Sequence, residues 1–246
     1  MIDTMNRFRG IKMIANCALV FLMLISGCKD NGSEPDPEPP APVSLSEQNL
    51  LRAMELTDAA VSSHFTGDGM AMARFYNPYT GTRSDEKGSI WMYTSAIEAV
   101  NAILFALEAQ KEHGNIDIYD KNFNKYSELL DRLYDNADYY LGAFELVSYT
   151  QTREWSVYGV NRGGSKGSAH VESIENVYDD QMWLIRELLE AYKVSGKPQF
   201  LQKAEYLTEY VLDGWDCTRD ANGVERGGIT WGPGYVTKHS CSNESL

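Results

Sequence analysis

The chain has 246 residues, 43% hydrophobic and 23% charged, enough to bury a substantial core in one large or two small domains. Asp and Glu number 35 against 22 Lys and Arg, a formal net charge of −13. Such a surface repels polyphosphate and carries no basic run to offset the repulsion, which argues against nucleic acid as a partner and tolerates a neutral one.

The first 27 residues read as a signal peptide rather than as part of the fold. Arg7, Arg9 and Lys12 form a basic start, and Met13 to Ile25 is apolar but short for a membrane span. Ile25-Ser26-Gly27-Cys28 resembles a bacterial lipoprotein signal, with small residues before an acceptor cysteine. That resemblance implies cleavage after Gly27 and a diacylglyceride on Cys28, whose acyl chains would anchor the protein to a membrane. Lys29-Asp30 resembles the short lysine–acid signal that sends lipoproteins to the cell surface, so an outer-membrane lipoprotein, surface or periplasmic, is expected. Residues 28–44 are the expected anchor and tether, rich in Pro and acid over Asn31 to Pro42.

From Leu45 to the end, residues 45–246, the pattern is that of one helical domain. Ser46-x-x-Asn49 leads into an amphipathic helix with Leu50, Met54 and Val61 on one face. A second helix is predicted from Ser89 to before Gly114, and a third from about Lys121 to Leu141. Asn176 opens a fourth, with Asn176 as N-cap and Asp179 as its capping-box partner, ending at Gly196. Pro198 suits the first turn of a fifth, closed by Gly214. Between the third and fourth, Phe144 to Ser168 reads as a long loop with a short hairpin. Asp220-Ala221-Asn222-Gly223 marks a turn. The fold class is all-α, built of helix pairs with long aromatic loops at one end.

Cys217 and Cys241 are the two cysteines outside the signal and anchor, in a compartment that permits a disulfide, and either a pair or two thiols fits. No HxxxH or CxxC spacing is present and the four histidines are scattered, so neither a metal nor a cofactor is expected.

The chemistry-bearing string is Glu175-Asn176-Val177-Tyr178-Asp179-Asp180-Gln181-Met182-Trp183. Acids are common in a first helical turn because they complement the helix dipole, each contributing about 0.3–1 kcal/mol. A pair has a second use. Two carboxyls beside one sugar linkage can divide the work of nucleophile and general acid, and retaining glycosidases hold them roughly 5–5.5 Å apart. Neighbouring helical side chains diverge by about 100°, so both flank one sugar only where the helix end faces the substrate. There, repulsion between the two raises one pKa and leaves the other group ionised.

The run VYDDQMWLIRELLEAY, followed by GGITW and the stretch Lys238 to Asn243, resembles glycoside hydrolase family 76, the endo-α-1,6-mannanases. The likeness extends from about Leu45 to the C-terminus and is specific from Asn176 onward. It implies an (α/α)6 toroid, retaining hydrolysis of α-1,6-mannosidic bonds in mannan and no metal. On that carry-over Asp179 is the nucleophile and Asp180 the acid/base. Tyr178, Trp231 and Tyr235 are candidate sugar platforms and Lys238 a candidate hydroxyl ligand, each of them equally compatible with ordinary packing. Five helices against the twelve of the family toroid imply about the first half of the ring, exposed apolar helix faces and weak or no turnover by the 246-residue chain. Two other readings fit the same residues: a surface glycan-binding lipoprotein without chemistry, and a different (α/α)6 enzyme of inverting type.

Overall fold

A computed structural model describes residues 44–67, 70–172 and 176–244, which belong to one unit of the chain. The expected signal peptide, the acceptor Cys28 and the tether up to residue 43 lie outside the described residues, as does Glu175.

Among the described residues, five α-helices carry the fold: α1 Leu45–His64, α2 Ile90–Glu112, α3 Ile116–Ala137, α4 Tyr178–Ser195 and α5 Pro198–Asp213. Each expected helix is present, with shifted ends. The cap of α1 is Ser44, whose Oγ accepts from the Glu47 amide at 3.2 Å. Ser46 lies inside the helix, and its Oγ accepts from Gln110 Nε2 on α2. Helix α3 starts at Ile116, before the expected Lys121, because Ile118 is already buried against the core. It ends at Ala137, where a 3-10 turn over Asp138–Tyr140 leads into a strand. Gly196, at φ +67°, closes α4 in the left-handed conformation that suits glycine, and Pro198 opens α5.

The loop expected after α3 is largely a hairpin. Of the described strands, β1 Phe65–Thr66 with β2 Ala71–Met72 and β3 Tyr76–Asn77 with β4 Thr82–Arg83 form two small hairpins between α1 and α2. The longer pair, β5 Leu141–Val147 and β6 Thr152–Tyr158, runs in register from Leu141↔Tyr158 to Val147↔Thr152. Trp155 and Val157 are buried on one face of β6, the period-2 alternation that fixes which side meets the helices.

The cross-helix bonds give the directions. Ser46 on α1 meets Gln110 near the end of α2, and the Tyr93 hydroxyl near the start of α2 donates to Leu133 O late in α3. Both pairs are therefore antiparallel. Tyr178 at the start of α4 packs on Tyr210 late in α5, making a third antiparallel pair. Between α2 and α4 the order is the same: Glu98 pairs with Arg186, and Asn101 Nδ2 donates to Glu187 O at 3.0 Å. So α2 and α4 run parallel and share an end, while α1, α3 and α5 run opposite. This is the inner-and-outer arrangement of an α/α toroid segment. Helix α2 is apolar enough to cross a membrane by length and composition. Here it is a core helix, with Ile90, Tyr93, Ile97, Val100, Leu104 and Leu107 buried.

Candidate active site

The site is the first turn of α4 and the C-terminal loop that crosses it. The helix takes Val177, not Asn176, as its N-cap, and no side chain caps it. The amide of Tyr178 donates instead to Trp231 O at 2.9 Å. With that orphan amide bonded to a main-chain carbonyl, Asn176 is turned inward, and its Nδ2 donates to the Tyr210 hydroxyl at 2.6 Å. Tyr178, Asp179 and Asp180 are thereby the first three helical residues, and the capping-box role expected of Asp179 does not exist. The loop lies very close: a Cβ on Gly232 would sit 2.7 Å from Asn176 O, so no larger residue fits there. On the other side, a Cβ on Gly214 would come within 2.4 Å of the Tyr178 ring.

Asp179 and Asp180 are both half-buried at the dipole-positive end of α4. Burial pushes the Asp180 carboxyl up to about 7, and the neighbouring charge of Asp179 adds to the rise. The helix dipole and mutual repulsion were expected to separate the pair; at Asp180 desolvation is the larger cause. Asp179 Oδ1 is sealed from solvent and has no hydrogen-bond partner, a costly state for a carboxylate oxygen and one that concentrates at functional sites. The Cys241 thiol lies against this carboxylate. Its own pKa is raised by burial first, then by its hydrogen bond to Asp179 and by that charge. No disulfide joins Cys217 and Cys241; Cys217 Sγ donates instead toward Tyr149 O.

The other candidates divide. Tyr178 is buried at 2% exposure, its ring 5.1 Å from that of Tyr210, and burial raises its phenol pKa well above the ordinary value. It nonetheless walls one side of a cavity of about 260 Å³ together with Tyr149, Asp213, Thr230 and Tyr235. Trp231 meets Tyr235 edge-on at 4.9 Å and stacks on His239 at 4.8 Å, so one indole face is already covered. Lys238 Nζ is 2.8 Å from Asp216 Oδ2, and this bond, ahead of those from Thr218, holds the Asp216 carboxyl down to about 2. Asn243 ties the loop together: Oδ1 accepts from Ile229 N, and Nδ2 donates to Ile229 O and His239 O. Neither aspartate lines the cavity at Tyr178. Among the described residues no His, Cys, Asp and Glu cluster fit to hold a metal is present.

Sequence reasoning missed the places of three residues: Cys241 against Asp179, Asp213 in the wall of the Tyr178 cavity, and Trp91 alongside Trp183. Asp213 ends α5, and its Oδ1 accepts from Ser148, Thr150 and Gln151 of the hairpin turn. No spacing in the sequence links any of them to Asp179.

The pattern of glycosyl hydrolase family 76 matches residues 162–246, the segment that holds α4, α5 and the crossing loop. The chain is similar to family 76. Among solved structures, it is similar to the family 76 mannosidase Bt3792 from Bacteroides thetaiotaomicron VPI-5482, with a TM-score of 0.51 and 18% identity over 79% of this chain and 45% of that one. The GH76 alpha-mannanase BT2949 from Bacteroides thetaiotaomicron gives 0.49 and 16% over 78% and 44%. A family 76 glycoside hydrolase from a bovine Bacteroides thetaiotaomicron strain gives 0.49 and 17% over 78% and 35%. Among curated proteins nothing matches. The Bt3792 comparison carries the fold, and this chain spans less than half the length of that mannosidase.

Proposed function

We propose that the chain carries the catalytic carboxylates of a glycoside hydrolase that cleaves α-1,6-mannosidic bonds in mannan by a retaining double displacement. The single observation behind this reading is the raised carboxyl at the start of α4: Asp180 pushed up to about 7 by burial beside the charge of Asp179. A group titrating there is protonated often enough at neutral pH to act as general acid and ionised often enough to act as base afterwards. Asp179 then attacks the anomeric carbon while Asp180 gives its proton to the departing glycosidic oxygen. In the second step, Asp180 takes a proton from water, the resulting hydroxide displaces Asp179, and the sugar leaves with its original anomeric configuration.

Tyr178 and Tyr235 wall a cavity next to the first turn of α4, Trp231 braces Tyr235, and Lys238 fixes the loop through Asp216. No cofactor is invoked. The N-terminal sequence supports attachment through a lipid on Cys28 in the outer membrane, with mannan or manno-oligosaccharides as the substrate met there. The test is trapping. A 2-deoxy-2-fluoro-mannoside with a good leaving group slows the second step, and mass spectrometry should find the mannosyl adduct on Asp179. An adduct on another residue, or a first-formed product of inverted configuration, overturns the reading.

A further inference from the structure

We infer that the hollow between Trp91 on α2 and Trp183 on α4 is a sugar-ring platform, holding a further hexopyranose of the same glycan whose linkage is cut at Asp179 and Asp180. This deepens the catalytic reading and rests on it. The parallel course of α2 and α4 puts both helix starts at one end of the molecule. On α4, Asp179 and Asp180 stand four and three residues before Trp183, which places the indole on their face about 4.5–6 Å further along the axis. On α2, the exposed positions Trp91, Ser95 and Glu98 form the facing stripe.

The hollow measures about 220 Å³ and is lined by Met72, Trp91, Thr94, Ser95, Glu98 and Trp183, with Met92 beneath. At about 30 Å³ per water, that is about seven waters, comparable to one pyranose ring. Trp91 is 60% exposed, an arrangement that wastes a large apolar face unless something stacks on it. One rim acceptor is held in place from outside the hollow: the Arg186 guanidinium lies 4.2 Å over one face of Trp183 and pairs with Glu98 at 3.0 Å. Thr94 and Ser95 donate to Ile90 O and Met92 O, which leaves their oxygens as acceptors. The open face of Trp91, bounded by the acceptors of Thr94, Ser95 and Glu98, matches a sugar, whose C–H face stacks while its rim hydroxyls donate. A net charge of −13 agrees with an uncharged ligand.

The test is binding of α-1,6-mannotetraose to the Asp179→Asn/Asp180→Asn protein, followed through the indole Nε1–H resonances. Trp91 and Trp183 should shift saturably. Trp91→Ala should weaken the tetraose at least tenfold, Trp91→Phe less, and the disaccharide not at all, with Tm moving by no more than about 2 °C because Trp91 is exposed. Trp183→Phe provides the second variant and should weaken the tetraose as well. Unchanged tetraose affinity in Trp91→Ala, or no binding by the parent, overturns the platform. So does a large fall in Tm with affinity retained, which would mean that a protein segment covers the hollow. Trp91-dependent binding in a wild-type chain that never forms the Asp179 adduct would remove the catalytic reading and leave the platform standing. An Asp179 adduct with Trp91-independent binding would do the reverse.

Discussion

Two helices start at the same end of this molecule and are built in opposite ways. Helix α2 begins conventionally. Ser89 Oγ accepts from the Met92 amide at 3.4 Å, Ile90 N donates to Val160 O at 2.9 Å, and no acid stands in the first turn. The side-chain cap and the bonded first amide both add stability. Helix α4 begins without a side-chain cap, with two adjacent acids, one carboxyl raised to about 7 and one carboxylate oxygen left without a partner. An uncapped start forgoes about 1 kcal/mol, and a buried orphan oxygen costs about as much or more. The contrast lies within one fold: at α4 the helix dipole that would favour a carboxylate is opposed by the burial of Asp180.

The largest expected effect that sharpens this contrast is on turnover. Asp179→Asn should lower mannan hydrolysis by roughly 10³-fold or more while leaving oligosaccharide affinity within a few-fold, as measured by rate assay and calorimetry. Comparable loss of both would make Asp179 a binding or folding residue. Next comes pH-dependent stability. A carboxyl whose pKa is raised in the fold from 3.8 to about 7 opposes folding once it must ionise. The penalty is absent below the unfolded value, grows as pH rises between the two, and is complete above the folded value. Asp180→Asn should therefore raise Tm by several degrees at pH 8 and change it little at pH 4, in paired melting curves. The smallest effect is at the other helix. Ser89→Ala should cost about 1 kcal/mol of stability at every pH and leave the turnover of folded protein unchanged.

Much of the fold was legible because it is written locally. The apolar spacing of Ile97, Val100, Leu104 and Leu107, and the punctuation at Gly196, Pro198 and Gly214, give the helices and two of their ends. What was not legible depends on residues far away in the chain. Asn176 has the composition of a cap, but the amide it would have served bonds to Trp231, so the cap moves to Val177. The hairpin runs longer than its sequence indicated because Trp155 and Val157 find a helical surface to bury against. In the site, the paired acids were visible as a string. That burial outweighs repulsion at Asp180, that Cys241 rests on Asp179, and that Trp91 comes alongside Trp183 depend on packing that no local string encodes.

The central claim is that burial at the start of α4 holds the Asp180 carboxyl far above the ordinary carboxylate range, with the neighbouring charge of Asp179 adding to the rise. Carbon-13 NMR of the aspartate carboxyls measures this in the chain itself, without need of substrate. Asp180 should titrate at about 7 and move down, without reaching an ordinary carboxyl value, when Asp179 is replaced by Asn, because burial is the larger cause. A midpoint near 4 for Asp180 in the folded wild-type chain would contradict the account.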